Sequence, residues 1–241
     1  MGLTEKHWRL ESVMHLFMLL LLGFGLGGVL LQVFIASRKG ATIPAELSLI
    51  IGAVSLYGTA IPALIWFVRK HGTTFINAFG LTRGRVGSAV AWGVLTTLGA
   101  LPIVYVLQWL SVLVLKQFGI APDVQSNVRM LVQGSPQVRS LIALIAVGLA
   151  PAVEEIVFRG ILFSSIRDLK FPRAAYWVTS ILFGLSHFNR AAFIPLTVFG
   201  AMLAWVYERS GNLLAPWVAH VCFNLAPFIM IALGITQLES F

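Results

Sequence analysis

Apolar residues occur along this chain in long runs that are separated by short polar links. A helix needs about 20 apolar residues to cross the hydrocarbon core of a bilayer. Seven runs predict membrane spans, of which the fifth and sixth are short: Ser12–Ala36, Leu47–Val68, Ser88–Leu115, Ser140–Ile166, Ala174–His187, Ala191–Tyr207 and Leu213–Ile235. The predicted fold class is therefore all-α, a polytopic membrane helical bundle of about seven or eight transmembrane helices.

Two segments complicate this pattern. Ser140–Ile166 is too long for one perpendicular span and contains Pro151, which predicts a tilt or a kink. Gly119–Val138 is polar enough for a loop, and its piece Val128–Val132 is expected to lie on the interface or to help form an eighth helix. Since no stretch fits a soluble domain, residues 1–241 are interpreted as a single membrane domain.

Composition agrees with a membrane protein. Hydrophobic residues make up 58% of the chain and charged residues 11%, with a mean hydropathy of +0.89, whereas soluble domains carry about 25% charged residues. The net charge of +8 is scattered among the polar links and forms no dense tract. This placement predicts contact with lipid headgroups and no nucleic-acid partner. The lone Cys222 excludes an internal disulfide and a thiolate zinc cluster.

The distribution of lysine and arginine favours a cytoplasmic N-terminus if there are seven spans, although an extra helix would invert half of that bias. The first apolar run is too long for a secretory signal and lacks a small-residue cleavage site, so it is interpreted as a retained helix. Gly23 and Gly27 in this run have the G-x-x-x-G spacing. In a polytopic protein this spacing predicts close packing against another helix of the same chain rather than dimerisation.

Polar side chains interrupt three of the apolar spans. An ionisable side chain inside a bilayer costs roughly 2.5–3.5 kcal/mol on the insertion scale, so such residues usually mark a function. Here they form three clusters: Glu154, Glu155 and Arg159; His187; and His220 with Asn224. Two carboxylates, an arginine, two histidines and an amide predict an enzyme active site inside the membrane.

Spacing separates the roles of the two glutamates. Glu155 and Arg159 are four residues apart, so they share a helix face and are predicted to form an ion pair. Adjacent residues lie about 100° apart on a helix, which points Glu154 elsewhere. A carboxylate without a local partner in apolar surroundings suits a general base near neutral pH. A purely structural role for the Glu155–Arg159 pair is the alternative.

The other two clusters show the same one-turn spacing. Phe183 and His187 share one face of their span, and His220 and Asn224 share one face of theirs. A single membrane histidine is often only hydrogen-bonded to a neighbouring helix. Three clusters on three separate spans favour a common function instead.

In order, the motifs E-E-x-x-x-R, F-x-x-x-H and H-x-x-x-N stand here as Glu154–Arg159, Phe183–His187 and His220–Asn224. This ordered triple resembles the CAAX protease and bacteriocin-processing family, also called CPBP or Abi. Phe79-Gly80-Leu81 also resembles a frequent family feature. The resemblance implies variable N-terminal helices over residues 1–116 and a catalytic helical core over residues 138–236.

The resemblance further implies a membrane-embedded endopeptidase, that is, a peptide hydrolase. Glu154 and His187 would activate water, and His220 with Asn224 would stabilise the oxyanion. Glu155 and Arg159 would shape the site. Peptide hydrolysis requires such a base and such hydrogen-bond donors in any case.

The use of a metal is left open by the residues. The sequence lacks H-E-x-x-H, but Glu154, His187 and His220 have side chains that can ligate zinc and leave a position for water. Asn224 favours a metal-free site, because a side-chain amide is a poor zinc ligand and a good oxyanion donor. The cofactor is therefore either none or a divalent metal such as zinc.

Two other functional classes compete with proteolysis. A proton-coupled transporter would be expected to show inverted repeats, and the two halves of this chain do not match. A non-catalytic immunity or scaffold protein of the same fold remains the stronger alternative. The expected partners are the lipid bilayer and a membrane-associated protein or peptide substrate, lipidated or not. The expected location is the prokaryotic plasma (inner) membrane. The oligomeric state is not predicted.

Overall fold

The computed structural model describes Lys6 and residues 8–37, 45–81, 86–121 and 134–234. These residues form helices and no strand, which confirms the predicted all-α class. In chain order the helices are α1 (Leu10–Ser37), α2 (Ala45–Lys70), α3 (Phe75–Ala78), α4 (Val86–Gln117), α5 (Pro136–Asp168), α6 (Pro172–Leu185), α7 (Phe193–Ser210) and α8 (Leu214–Ala232).

Five of these helices contain stretches long and apolar enough to cross a membrane: Leu10–Ser37, Leu47–Lys70, Val86–Gln117, Pro136–Asp168 and Leu214–Ile231. The chain is therefore an integral membrane protein. The two predicted short spans coincide with α6, of 14 residues, and α7, of 18 residues. At 1.5 Å per residue α6 covers only about 21 Å, less than the roughly 30 Å of a hydrocarbon core.

Some expectations concern residues outside the described ranges. The proposed interfacial or helical piece Val128–Val132 is one of them. Several basic residues used for the orientation are others: Arg38, Lys39, Arg83, Arg85 and Arg129. The cytoplasmic N-terminus therefore stays a prediction.

The described chain divides into two compact units, Trp8–Phe75 and a larger unit of Met1–His7 with Ile76–Phe241. In the smaller unit α1 packs along α2. A Cβ at Gly23 would lie 2.6 Å from Cβ of Thr59, and one at Gly27 would lie 2.9 Å from Cβ of Ser55. The two glycines thus let the helices approach closely, which confirms the intrachain packing predicted from their spacing.

The larger unit is a helical bundle in which α7 packs against α4 and α6, and α8 packs against α4. Its buried apolar core includes Phe183, Phe199, Leu203 and Ala219. The Thr97 hydroxyl on α4 donates to the Ala219 carbonyl on α8 at 3.0 Å. These contacts hold α8, which carries two of the predicted site residues, in a fixed place.

The tripeptide Phe79-Gly80-Leu81 contributes to the same unit. The Phe79 carbonyl accepts a hydrogen bond from the backbone N–H of Leu213, just before α8. The Phe79 ring covers Gly160 on α5, where a Cβ would lie 2.6 Å from a ring carbon. Gly80 has φ +70°, and a Cβ there would lie 2.2 Å from the Gly211 carbonyl oxygen. The tripeptide therefore fastens α5 to the beginning of α8.

Gly80→Ala is expected to lower the free energy of unfolding by about 2–3 kcal/mol, because the new Cβ is strained at positive φ and collides with backbone. Thermal unfolding in detergent, followed by circular dichroism, measures this loss. Gly87→Ala is the matched control, since a Cβ at Gly87 meets nothing within 4 Å. Equal stability of the two variants would contradict the account of this turn.

Candidate active site

Helix α5 carries a buried ion pair at the centre of the larger unit. Glu155 and Arg159 are both fully buried, and Nη1 of Arg159 donates to Oε1 of Glu155 at 2.9 Å. This contact confirms the pair predicted from the i, i+4 spacing. Arg159 also donates through Nη2 to the Gly200 carbonyl of α7 at 3.1 Å. Its guanidinium carbon lies 4.5 Å from the centre of the Phe183 ring on α6. One side chain thus joins three helices.

His220 on α8 binds the same oxygen of this carboxylate as Arg159 does. Its Nδ1 lies 2.7 Å from Oε1 of Glu155. A carboxylate only accepts hydrogen bonds, so Nδ1 carries the proton and donates it. This contact fixes the plane of the imidazole and leaves Nε2 directed away from Glu155.

Glu154 lies next to Nε2 of the same imidazole. Its Oε2 is 3.8 Å from Nε2 of His220, and its side chain is 28% exposed. The distance is too long for a direct hydrogen bond, so the two groups lie side by side without bonding each other. The two adjacent glutamates therefore meet at one imidazole, Glu155 at Nδ1 and Glu154 near Nε2.

His187 follows the end of α6 and is half-buried. Its Nδ1 lies 2.8 Å from the carbonyl oxygen of Phe183, one turn earlier. The carbonyl can only accept, so the neutral ring has its proton on Nδ1 and its lone pair on Nε2. The Phe183 ring also contacts both imidazoles, with centroid distances of 4.9 Å to His187 and 5.5 Å to His220. Phe183 thus orients His187 through its carbonyl oxygen and packs its ring against His220.

Asn224 lies one turn beyond His220 on α8 and reaches back to α5. Its Nδ2 donates to the carbonyl oxygen of Ala146 at 2.7 Å. The contact joins residues that are 78 positions apart. The carboxamide is half-buried, and its NH₂ group has a second hydrogen available for another acceptor.

The predicted residues are therefore brought together to different degrees. Glu154, Glu155, Arg159 and His220 form one continuous cluster. His187 is connected to it through Phe183, and Asn224 through α5. Nothing in the sequence predicts the roles of the Gly200 and Ala146 carbonyls, because a glycine and an alanine in apolar helices are common.

The side chains that could ligate a metal are Glu154, His187 and His220. Across the described part of the chain, no three histidine, cysteine, aspartate or glutamate side chains are grouped so that they could hold a metal ion. Glu154, His187 and His220 are thus not arranged as a ligand set in the described residues.

Comparison with known proteins places this site within a recognised segment. Residues 136–226 match the family model described as type II CAAX prenyl endopeptidase Rce1-like. The protein named "UPF0177 protein YxdF" of Lactococcus lactis is 30% identical over 78 residues, which are 32% of this chain and 42% of that protein. The protein named "Putative membrane peptidase YdiL" of Bacillus subtilis is 27% identical over 115 residues, which are 47% of this chain and 46% of that protein.

The matches thus span less than half the length of each of these relatives. No solved structure matches the chain significantly. The matched segment contains all three motifs and every residue of the cluster. The resemblance of this chain to the CAAX protease and bacteriocin-processing family is therefore confirmed, on an Rce1-like segment from residue 136 to residue 226.

Proposed function

We propose that this protein is an intramembrane endopeptidase that hydrolyses peptide bonds of membrane-associated, including lipidated, proteins or peptides. The observation that carries the proposal is the position of the Glu154 carboxylate, 3.8 Å from Nε2 of an imidazole that Glu155 holds in place. This arrangement lies within a segment that resembles a family of endopeptidases.

Glu154 and His187 activate the attacking water in this proposal. The carboxylate removes a proton from water as the water oxygen bonds to the scissile carbonyl carbon. His187 supports the same water through the lone pair on Nε2, since its Nδ1–H is engaged by Phe183. When the carbon–nitrogen bond breaks, the proton held by Glu154 passes to the leaving amine, so that the carboxylate is regenerated.

His220 and Asn224 stabilise the negative charge on the tetrahedral oxygen. His220 donates its Nδ1–H to Glu155, and its Nε2 lies on the side of Glu154. To act as an oxyanion donor, the ring carries a second proton on Nε2. Asn224 contributes the N–H that is not donated to Ala146. Donors that are held in place before the reaction cost no reorganisation when the oxyanion forms.

Glu155 and Arg159 orient these groups and do not touch the substrate. Arg159 balances the buried charge of Glu155, and Glu155 fixes the ring of His220. The expected location is the plasma membrane of a prokaryote, an expectation supported by the two bacterial relatives.

The test uses purified protein in detergent and a peptide library with hydrophobic or lipidated C-terminal regions, with products identified by mass spectrometry. We expect cleavage by the intact protein. A parallel assay with a chelator tests whether a metal takes part. Only a metal enzyme should lose activity with the chelator and regain it when metal is added. Absence of cleavage of every peptide and of any membrane peptide encoded beside this gene would favour the non-catalytic immunity or scaffold protein.

Asn224→Ala is expected to lower kcat by about 10²–10³-fold, because one oxyanion donor is removed. KM should change little, since the donor acts mainly on the transition state. Cys222→Ala, two residues away on the same helix, is the matched control and should leave both constants unchanged. A change in KM with an unchanged kcat would contradict the assigned role.

A further inference from the structure

The helical hydrogen bonding of α5 changes register immediately before Pro151. The stretch Leu144–Leu149 is π-helical, and the backbone N–H of Ala150 donates to the carbonyl of Ile145, five residues earlier. In an α-helix the same N–H would bind Ala146. A π-helical turn thus ends directly before Pro151, where the sequence predicts a tilt or a kink, and a second π-helical stretch follows at Ile156–Phe163.

This register leaves the Ala146 carbonyl without its usual donors. The N–H of Ala150 is donated to Ile145, and the next donor in the π register would be residue 151. Residue 151 is a buried proline and has no N–H. The hydrogen bond that Ala146 does accept comes from Asn224, at 2.7 Å.

We propose that Pro151 is a positioning residue for Asn224, an inference that rests on the function proposed above. Because proline provides no N–H, the Ala146 carbonyl is kept as the acceptor for the Asn224 carboxamide. The two hydrogens of a carboxamide NH₂ lie in one plane about 120° apart. Anchoring one of them on Ala146 therefore fixes the direction of the other, which is the oxyanion donor.

Any other residue at position 151 weakens this arrangement. If the π register persists, the new N–H donates to Ala146 and competes with Asn224. If the helix returns to the α register, the N–H of Ala150 takes the same carbonyl. In both cases the carboxamide of Asn224 loses its fixed acceptor, while the contacts among Glu155, Arg159 and His220 do not involve this carbonyl.

The kinetic test compares Pro151→Ala with the parent protein and repeats the substitution in the Asn224→Ala background. In the parent we expect kcat to fall by about 10- to 100-fold with little change in KM. In the Asn224→Ala background we expect no further loss, because Pro151 acts through Asn224. Pro102→Ala, at an exposed proline inside α4, is the control and should be silent. Equal losses in both backgrounds would overturn the proposal, since they would indicate a merely structural role.

A second readout does not depend on activity. The chain has five asparagines, so side-chain ¹⁵N labelling of asparagine gives few NH₂ signals, and Asn224→Ala identifies the relevant pair. We expect Pro151→Ala to shift the Asn224 pair and leave the others in place. An unshifted pair would overturn the link between Pro151 and Asn224. A shifted pair in a protein that cleaves no peptide would support that link and overturn the proposed function instead.

Discussion

Arg159→Ala is expected to lower the free energy of unfolding by about 3–5 kcal/mol. The substitution leaves the carboxylate of Glu155 in a fully buried position without its cation, and it removes the contacts that join α5 to α6 and α7. Breaking a buried ion pair from one side is costly for this reason. Denaturation in detergent, followed by circular dichroism, measures the loss. Arg209→Ala, at an exposed arginine of α7, is the control and should change stability little.

A double variant shows whether the uncompensated charge is the cause. Replacing both partners, as Glu155→Leu with Arg159→Met, removes the two charges together. We expect it to be less destabilised than Arg159→Ala, because no buried carboxylate is left alone. A double variant as unstable as the single one would show that lost packing, and not charge, explains the effect.

Glu154→Gln is expected to lower kcat by about 10²–10⁴-fold, which is the usual contribution of a general base. Glutamine keeps the shape and hydrogen bonding of the side chain but cannot accept the proton of water. Stability should be unchanged, since Glu154 is partly exposed and takes no part in the Arg159 pair. Glu11→Gln, at an exposed carboxylate of α1, is the control. Undiminished cleavage would contradict the role of Glu154. A stability loss equal to that of Arg159→Ala would contradict the division of roles between the two glutamates.

The helices and the ion pair were predictable because both depend on local sequence. Apolar runs set the membrane segments, and the i, i+4 spacing alone places Glu155 beside Arg159. The bond between Glu155 and His220 was not predictable in the same way. It joins residues 65 positions apart and exists because α8 packs against α5, which no local pattern specifies.

The helix register around Pro151 shows a second limit. Proline predicts an irregularity in α5, but not whether the helix kinks, tilts or adopts a π turn. The π turn determines that the Ala146 carbonyl accepts its hydrogen bond from Asn224, and this bond orients the Asn224 carboxamide. The sequence therefore predicts which residues take part, whereas their orientation depends on packing between distant helices.

In the proposed mechanism, Glu154 and His187 act on one water molecule during peptide hydrolysis. The most direct measurement is kcat for the parent protein, Glu154→Gln, His187→Ala and the double variant, on one cleaved peptide in detergent. Residues that act as a unit give non-additive losses. A shared water predicts that kcat of the double variant is no lower than kcat of the slower single variant. Losses that multiply in the double variant would contradict it.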